Sequence, residues 1–95
     1  MAAYIIADVT VTNADQMAKY REWSTKAANE HGAEFVVRGG AITVLEGAWN
    51  PSRLVVLKFE SAEKARAYYG SEAYTQARRV REGAGVLNMV VVEGV

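Results

Sequence analysis

The 95-residue chain contains no cysteine, which excludes disulfides, thiolate metal ligands, a cysteine nucleophile and CxxC redox chemistry. It has a single histidine, His31, and one imidazole builds no metal site unless carboxylates converge on it. Charge of one sign is also lacking. Eleven Lys and Arg balance eleven Asp and Glu to a formal net charge of zero, which offers no electrostatic footprint to a nucleic-acid backbone. No apolar run is long: Tyr4–Ala7 and Val86–Val92 fall far short of a membrane span. Met1-Ala2-Ala3 leads into a strand pattern without the basic segment that opens a secretory signal. A cytoplasmic protein with no nucleic-acid or membrane partner is expected. Phosphate-binding glycine loops, nucleophile elbows, zinc signatures and dinucleotide fingerprints are absent too, so neither a cofactor nor a metal is expected.

What remains, 51% hydrophobic and 23% charged residues, fits one small domain over residues 1–95. A domain of this size buries only roughly 60 to 65% of the surface its unfolded chain exposes, so a covering partner would add to a thin core.

Alternation places Ile5, Ala7, Val9 and Val11 on one face of a first strand and Tyr4, Ile6, Asp8 and Thr10 on the other. Asn13 is a good N-cap, with Gln16 spaced to reach back in a capping box. Met17, Tyr20, Ser24, Ala27, Ala28 and His31 recur at helical steps, and Gly32 ends the helix in the left-handed conformation. Glu34–Arg38 and Ala41–Glu46 read as one long second strand, interrupted by a bulge or kink at Gly39-Gly40. The turn dipeptide Asn50-Pro51 precedes a third strand over Arg53–Phe59. Ser61 caps a second helix, which breaks near Gly70-Ser71 and continues over Glu72–Arg81. Val86–Val92 closes the chain as a fourth strand.

This order is βαβ followed by βαβ. It predicts an α+β, ferredoxin-like βαββαβ sandwich, a four-stranded antiparallel-type sheet with two helices on one face. Two helices cover one sheet face, yet Leu54 and Val56 alternate with Val55, Leu57 and Phe59, and the last strand is apolar on both sides. A second copy packed sheet to sheet, a homodimer, covers the other face most economically.

The run His31-Gly-Ala-Glu-Phe-Val-Val-Arg-Gly-Gly40 stands with Val44-Leu-Glu-Gly-Ala-Trp-Asn-Pro-Ser-Arg-Leu-Val-Val-Leu-Lys-Phe59 and Tyr68-Tyr-Gly-Ser-Glu-Ala-Tyr74. Together these segments resemble the DUF1330 family of the dimeric α/β-barrel superfamily. The resemblance implies a ferredoxin-like protomer whose two copies form a barrel with a cleft in each half. Superfamily relatives include cofactor-independent monooxygenases, haem-degrading enzymes, isomerases and proteins without known catalysis, so the resemblance names no reaction. The haem-degrading relatives carry an Asn on the first strand and a His on the second helix. Here Asp8 takes the first place and the second helix has no His, which argues against haem.

Several side chains are candidates for chemistry. His31 is the one group with an unperturbed pKa near neutrality, hence a general acid or base, or else a satisfied partner of helix carbonyls. Arg38, in an apolar strand beside two glycines, is either a clamp on a carboxylate or similar planar anion, or an ion-pair partner of Glu34, Glu46 or a second chain. Asp8 and Lys58, expected on adjacent parallel strands facing away from the helices, either pair with each other or mark a pocket that Tyr4 and Thr10 share. Trp49, Tyr68, Tyr69 and Tyr74 carry apolar bodies with polar tips, suited to a small-molecule pocket or to packing.

Two functions follow. One is a small-molecule-binding protein that acts as a cofactor-independent isomerase, lyase or monooxygenase on an organic acid or carbonyl compound, with His31 and Asp8 catalytic and Arg38, Tyr4, Trp49, Lys58, Tyr68 and Tyr74 binding the ligand. The other is a non-catalytic ligand-binding or assembly module. An enzyme needs His31 or Asp8 at the cavity that Arg38 enters, expected on the face away from the helices, whereas a binding module needs only the cavity.

Overall fold

The computed structural model describes residues 1–95. Seven elements follow one another: β1 (Ala3–Val11), α1 (Ala14–Glu30), β2 (Glu34–Arg38), β3 (Leu54–Phe59), α2 (Ala62–Tyr69), α3 (Glu72–Val80) and β4 (Gly85–Glu93). The strands form one sheet in the order β2-β3-β1-β4 with every neighbouring pair antiparallel, and the fold is ferredoxin-like. No helix is long and apolar enough to cross a membrane.

Local chemistry accounts for most boundaries. Asn13 Oδ1 accepts from the Gln16 amide at 3.0 Å, and Ser61 and Ser71 cap α2 and α3 in the same way. The capping box does not form: Gln16 Nε2 instead donates to the carbonyls of Val80 and Glu82, at 2.8 and 2.6 Å. There it satisfies the open C-terminal end of α3 and ties the two helices together. Gly32 follows α1 with φ +67°. The break between α2 and α3 falls at Gly70, as the sequence pattern suggests.

The core lies between the helices and one sheet face. Ile5, Ala7 and Val9 of β1 and Leu57 and Phe59 of β3 meet Met17, Tyr20, Ala27 and Ala28 of α1, with Tyr68 and Tyr74 closing the far side. Only sixteen residues are buried, so the core is thin. The other sheet face carries no layer of its own, consistent with a molecule only 16 Å across its shortest axis. Across that open face Val37, Val56, Ile6 and Val90 stand in one row on four successive strands.

Three local expectations are corrected. Ala41–Glu46 forms no strand: the chain leaves the sheet at Gly39, where φ is +73°, and runs as an exposed connection to β3. β2 is an edge strand, and strand-forming side chains beyond it find no neighbour to satisfy their backbone. The bulge lies at Val36, between the pairs Phe35↔Leu57 and Val37↔Val56, and not at the glycine pair. Asp8 and Lys58 sit on antiparallel strands, where Asp8 faces Leu54 and Lys58 faces Tyr4, so they form no pair.

Candidate functional site

The bulge decides which way Arg38 points. Strand residues alternate sides, so an unbroken β2 with Phe35 toward the helices would send Arg38 to the opposite face. The extra residue at Val36 restores Arg38 to the side of Phe35, opposite Val55, whose side chain also faces the helices. Arg38 therefore enters the layer between sheet and helices, and the expectation that its cleft lies on the non-helical face is overturned. Its guanidinium stacks over the Phe35 ring, 4.0 Å from the ring centre, and Nη2 donates to Thr25 Oγ1 of α1 at 2.9 Å.

There it borders a cavity of about 40 Å³ between α1 and the sheet. The floor is apolar, with Ala7, Val9, Leu57, Leu87 and Met89 from the sheet and Met17 from α1. Two further arginines share the lining. Arg53, just before β3, continues the alternation of Val55 and Leu57; Arg21 lies one turn after Met17 on α1. No Asp or Glu lines the cavity, and Lys64–Glu60 on the surface is the one side-chain ion pair in the protein. The bond from Arg38 to Thr25 is the only hydrogen bond that any of the three guanidiniums makes. Arg53 also packs against the α-carbon of Gly39, where a β-carbon would collide with its guanidinium. Side chains bearing hydroxyls complete the wall: Tyr20, Ser24 and Tyr68.

Of the residues singled out from sequence, Arg38 and Tyr68 line this cavity. Tyr74 lies behind it, fully buried, its hydroxyl 2.7 Å from that of Tyr20 and 3.4 Å from Met89 Sδ. Burial pushes the Tyr68 and Tyr74 phenols well above the ordinary tyrosine value, with the neighbouring Tyr20 adding to the effect. Asp8, Tyr4 and Lys58 are on the open sheet face, and Asp8 Oδ2 accepts from Trp49 Nε1 at 2.9 Å. His31 caps α1, where Nδ1 donates to the Ala27 carbonyl at 2.8 Å and the ring meets Tyr68 edge-on, with centroids 6.3 Å apart. It borders a separate polar groove between α1 and α3. The structure thus places neither Asp8 nor His31 in the cavity that Arg38 enters. No three His, Asp or Glu side chains converge as metal ligands would.

Arg21 and Arg53 were not among the expected residues, although signals existed. Arg53 keeps the period of two with Val55 and Leu57, and Arg21 is four residues from Met17 on the inward stripe of α1.

Solved structures share this architecture. A protein of unknown function from Rhodopseudomonas palustris superposes with a TM-score of 0.78 at 15% identity, over 99% of this chain and 82% of its own. A protein from Bacteroides fragilis, described as dimeric and ferredoxin-like, gives 0.57 at 10% identity over 98% and 96% of the two chains. SnoaB from Streptomyces nogalater, described as a cofactor-independent oxygenase, gives 0.62 at 10% identity over 99% and 93%. Identities this low carry the fold and not the chemistry. No curated protein matches the sequence. Residues 2–95 match the family described as a domain of unknown function, DUF1330, and the chain belongs to that family.

Proposed function

We propose that the protein binds a small organic anion in the cavity between α1 and the sheet, its charged end at Arg38, Arg53 and Arg21 and its apolar body over Leu57, Leu87 and Met89. The observation that carries this is three arginines around one apolar cavity without a carboxylate among them. Guanidiniums drawn together and partly desolvated raise the free energy of the folded chain unless an anion meets them, and Arg offers the planar fork that a carboxylate matches. The cavity itself has room for little more than a water. Its mouth, however, is formed by long side chains, and Arg38 is exposed and held by one hydrogen bond, so a larger guest enters by displacing it.

The binding reading stands ahead of the enzyme reading because the two groups expected to move a proton, His31 and Asp8, lie elsewhere. Benzoate tests it, with benzamide as the uncharged isostere. Benzoate binds measurably by calorimetry, benzamide at least tenfold more weakly, and Arg38→Ala loses at least tenfold for benzoate alone. Equal binding of the two probes, or an unaffected Arg38→Ala, overturns the proposal.

We further infer that a second copy covers the open sheet face. The row Val37, Val56, Ile6 and Val90 supports this, with Val90 at 60% and Val37 at 41% exposure, and so does the dimeric description of the Bacteroides fragilis relative.

A further inference from the structure

One polar group at the cavity is left without a role by the arginines. Tyr68 is 2% exposed, lines the cavity from α2, and its hydroxyl takes part in no hydrogen bond within the protein. Its ring is fixed by aromatic contacts on three sides: Phe59 at 5.2 Å, Tyr74 at 4.8 Å and His31 at 6.3 Å between centroids. The neighbouring phenols differ in this respect. Tyr20 and Tyr74 satisfy one another at 2.7 Å, and Tyr74 receives a further contact from Arg81 Nη1 at 3.5 Å. Among side-chain polar atoms sealed from solvent only Arg78 Nε lacks a partner, so the uncommitted Tyr68 hydroxyl keeps an opening to the outside through which something other than the chain itself can complete it.

We propose that Tyr68 is the second recognition point of the cavity, its hydroxyl donating a hydrogen bond to an acceptor oxygen on the body of the anion whose charged end meets Arg38. This rests on the anion-binding reading and narrows it from organic anions in general to organic acids that carry an ether, carbonyl or hydroxyl oxygen apart from the carboxylate. The phenol is suited to donating and not to taking a proton, because burial keeps it in the neutral form throughout the ordinary pH range. The arginines hold the charged end at the mouth, and the other hydroxyls of the wall are engaged, Tyr20 with Tyr74 and Ser24 with the Arg21 carbonyl, so an oxygen on the ligand's body finds in Tyr68 the wall hydroxyl not already committed.

The test compares meta- and para-methoxybenzoate with meta- and para-ethylbenzoate, pairs that differ by an ether oxygen in place of a methylene. Calorimetry on the wild type should show at least one methoxy compound binding about fivefold more tightly than its ethyl counterpart, the size expected of one neutral hydrogen bond. In Tyr68→Phe that preference vanishes while affinity for the ethyl compounds stays within twofold. Removing an unpartnered hydroxyl should leave the melting temperature of Tyr68→Phe, without ligand, equal to the wild type or above it. A wild type that ranks each pair equally while binding benzoate overturns the role of Tyr68 and leaves the anion site standing. Failure of benzoate and all four derivatives to bind overturns both. A preference that survives in Tyr68→Phe also overturns it, and a lower melting temperature there shows that the hydroxyl is already satisfied.

Discussion

The Trp49 indole donates to the Asp8 carboxylate at 2.9 Å, joining the connection between β2 and β3 to the open face of the central strand β1. Apart from this bond the connection has little to hold it, since residues 41–50 are all exposed. Trp49→Phe keeps the apolar ring and removes the donor. It should raise amide exchange across residues 40–50 while costing only about 0.5 to 1 kcal/mol of global stability, because the bond is exposed to solvent. Unchanged exchange there would show that the bond does not hold the segment.

The two adjacent glycines should respond differently. Gly39 has φ +73° and carries the Arg53 guanidinium on its α-carbon, whereas Gly40 has nothing within 4 Å of a would-be β-carbon and no positive φ. Gly39→Ala should cost about 1 to 2 kcal/mol in urea denaturation, and Gly40→Ala less than about 0.5 kcal/mol. Equal costs would remove the distinction.

The arginines should separate binding from stability. Three cations around a cavity without an acid gain nothing from one another, so Arg38→Met without ligand should match wild-type stability within about 0.5 kcal/mol. Affinity for benzoate should fall at least tenfold in the same variant. A large loss of stability would assign Arg38 to the fold instead.

Alkaline pH should unfold the chain through its buried phenols. The Tyr68 and Tyr74 values are raised in the folded state, so their contribution is complete below the unfolded value near 10 and is lost as pH rises above it. Over that range stability should fall by about 2.7 kcal/mol per pH unit for the pair. In an ultraviolet phenolate titration these two of the five tyrosines should ionise only with unfolding. Reversible ionisation of all five in the folded protein would contradict it.

Association should depend on the row of apolar residues across the open face. Ile6→Lys places a charge at its centre, on the side opposite the core, and should turn a dimer into a folded monomer by light scattering with unchanged far-ultraviolet dichroism. A wild type that scatters as a 10.4 kDa monomer at micromolar concentration would defeat the inference of a second copy.

Much of the fold was legible because its signals are local. Alternation in β1, the stripe from Met17 to Ala28, the caps at Asn13 and Ser61 and the left-handed Gly32 each depend on residues within one turn or one strand, and the elements form where those signals lie. The candidate site was legible only in part. Arg38 stood out as a charge in an apolar strand, and Tyr68 as an aromatic with a polar tip. Asp8 was drawn toward Lys58 only by strand direction, and antiparallel pairing separates them.

The sequence by itself determined the order of elements, the apolar faces and the absence of cysteine chemistry, since composition and period require no knowledge of neighbours. Tertiary structure alone decided where the cavity lies. A bulge at Val36 inserts one residue against β3, a strand reverses its facing with every residue, and that single step carries Arg38 from the open face into the layer with Arg21, Arg53 and Tyr68. Nothing in Phe35-Val-Val-Arg38 marks which valine is extra, because the choice belongs to the pairing of two strands and not to either one.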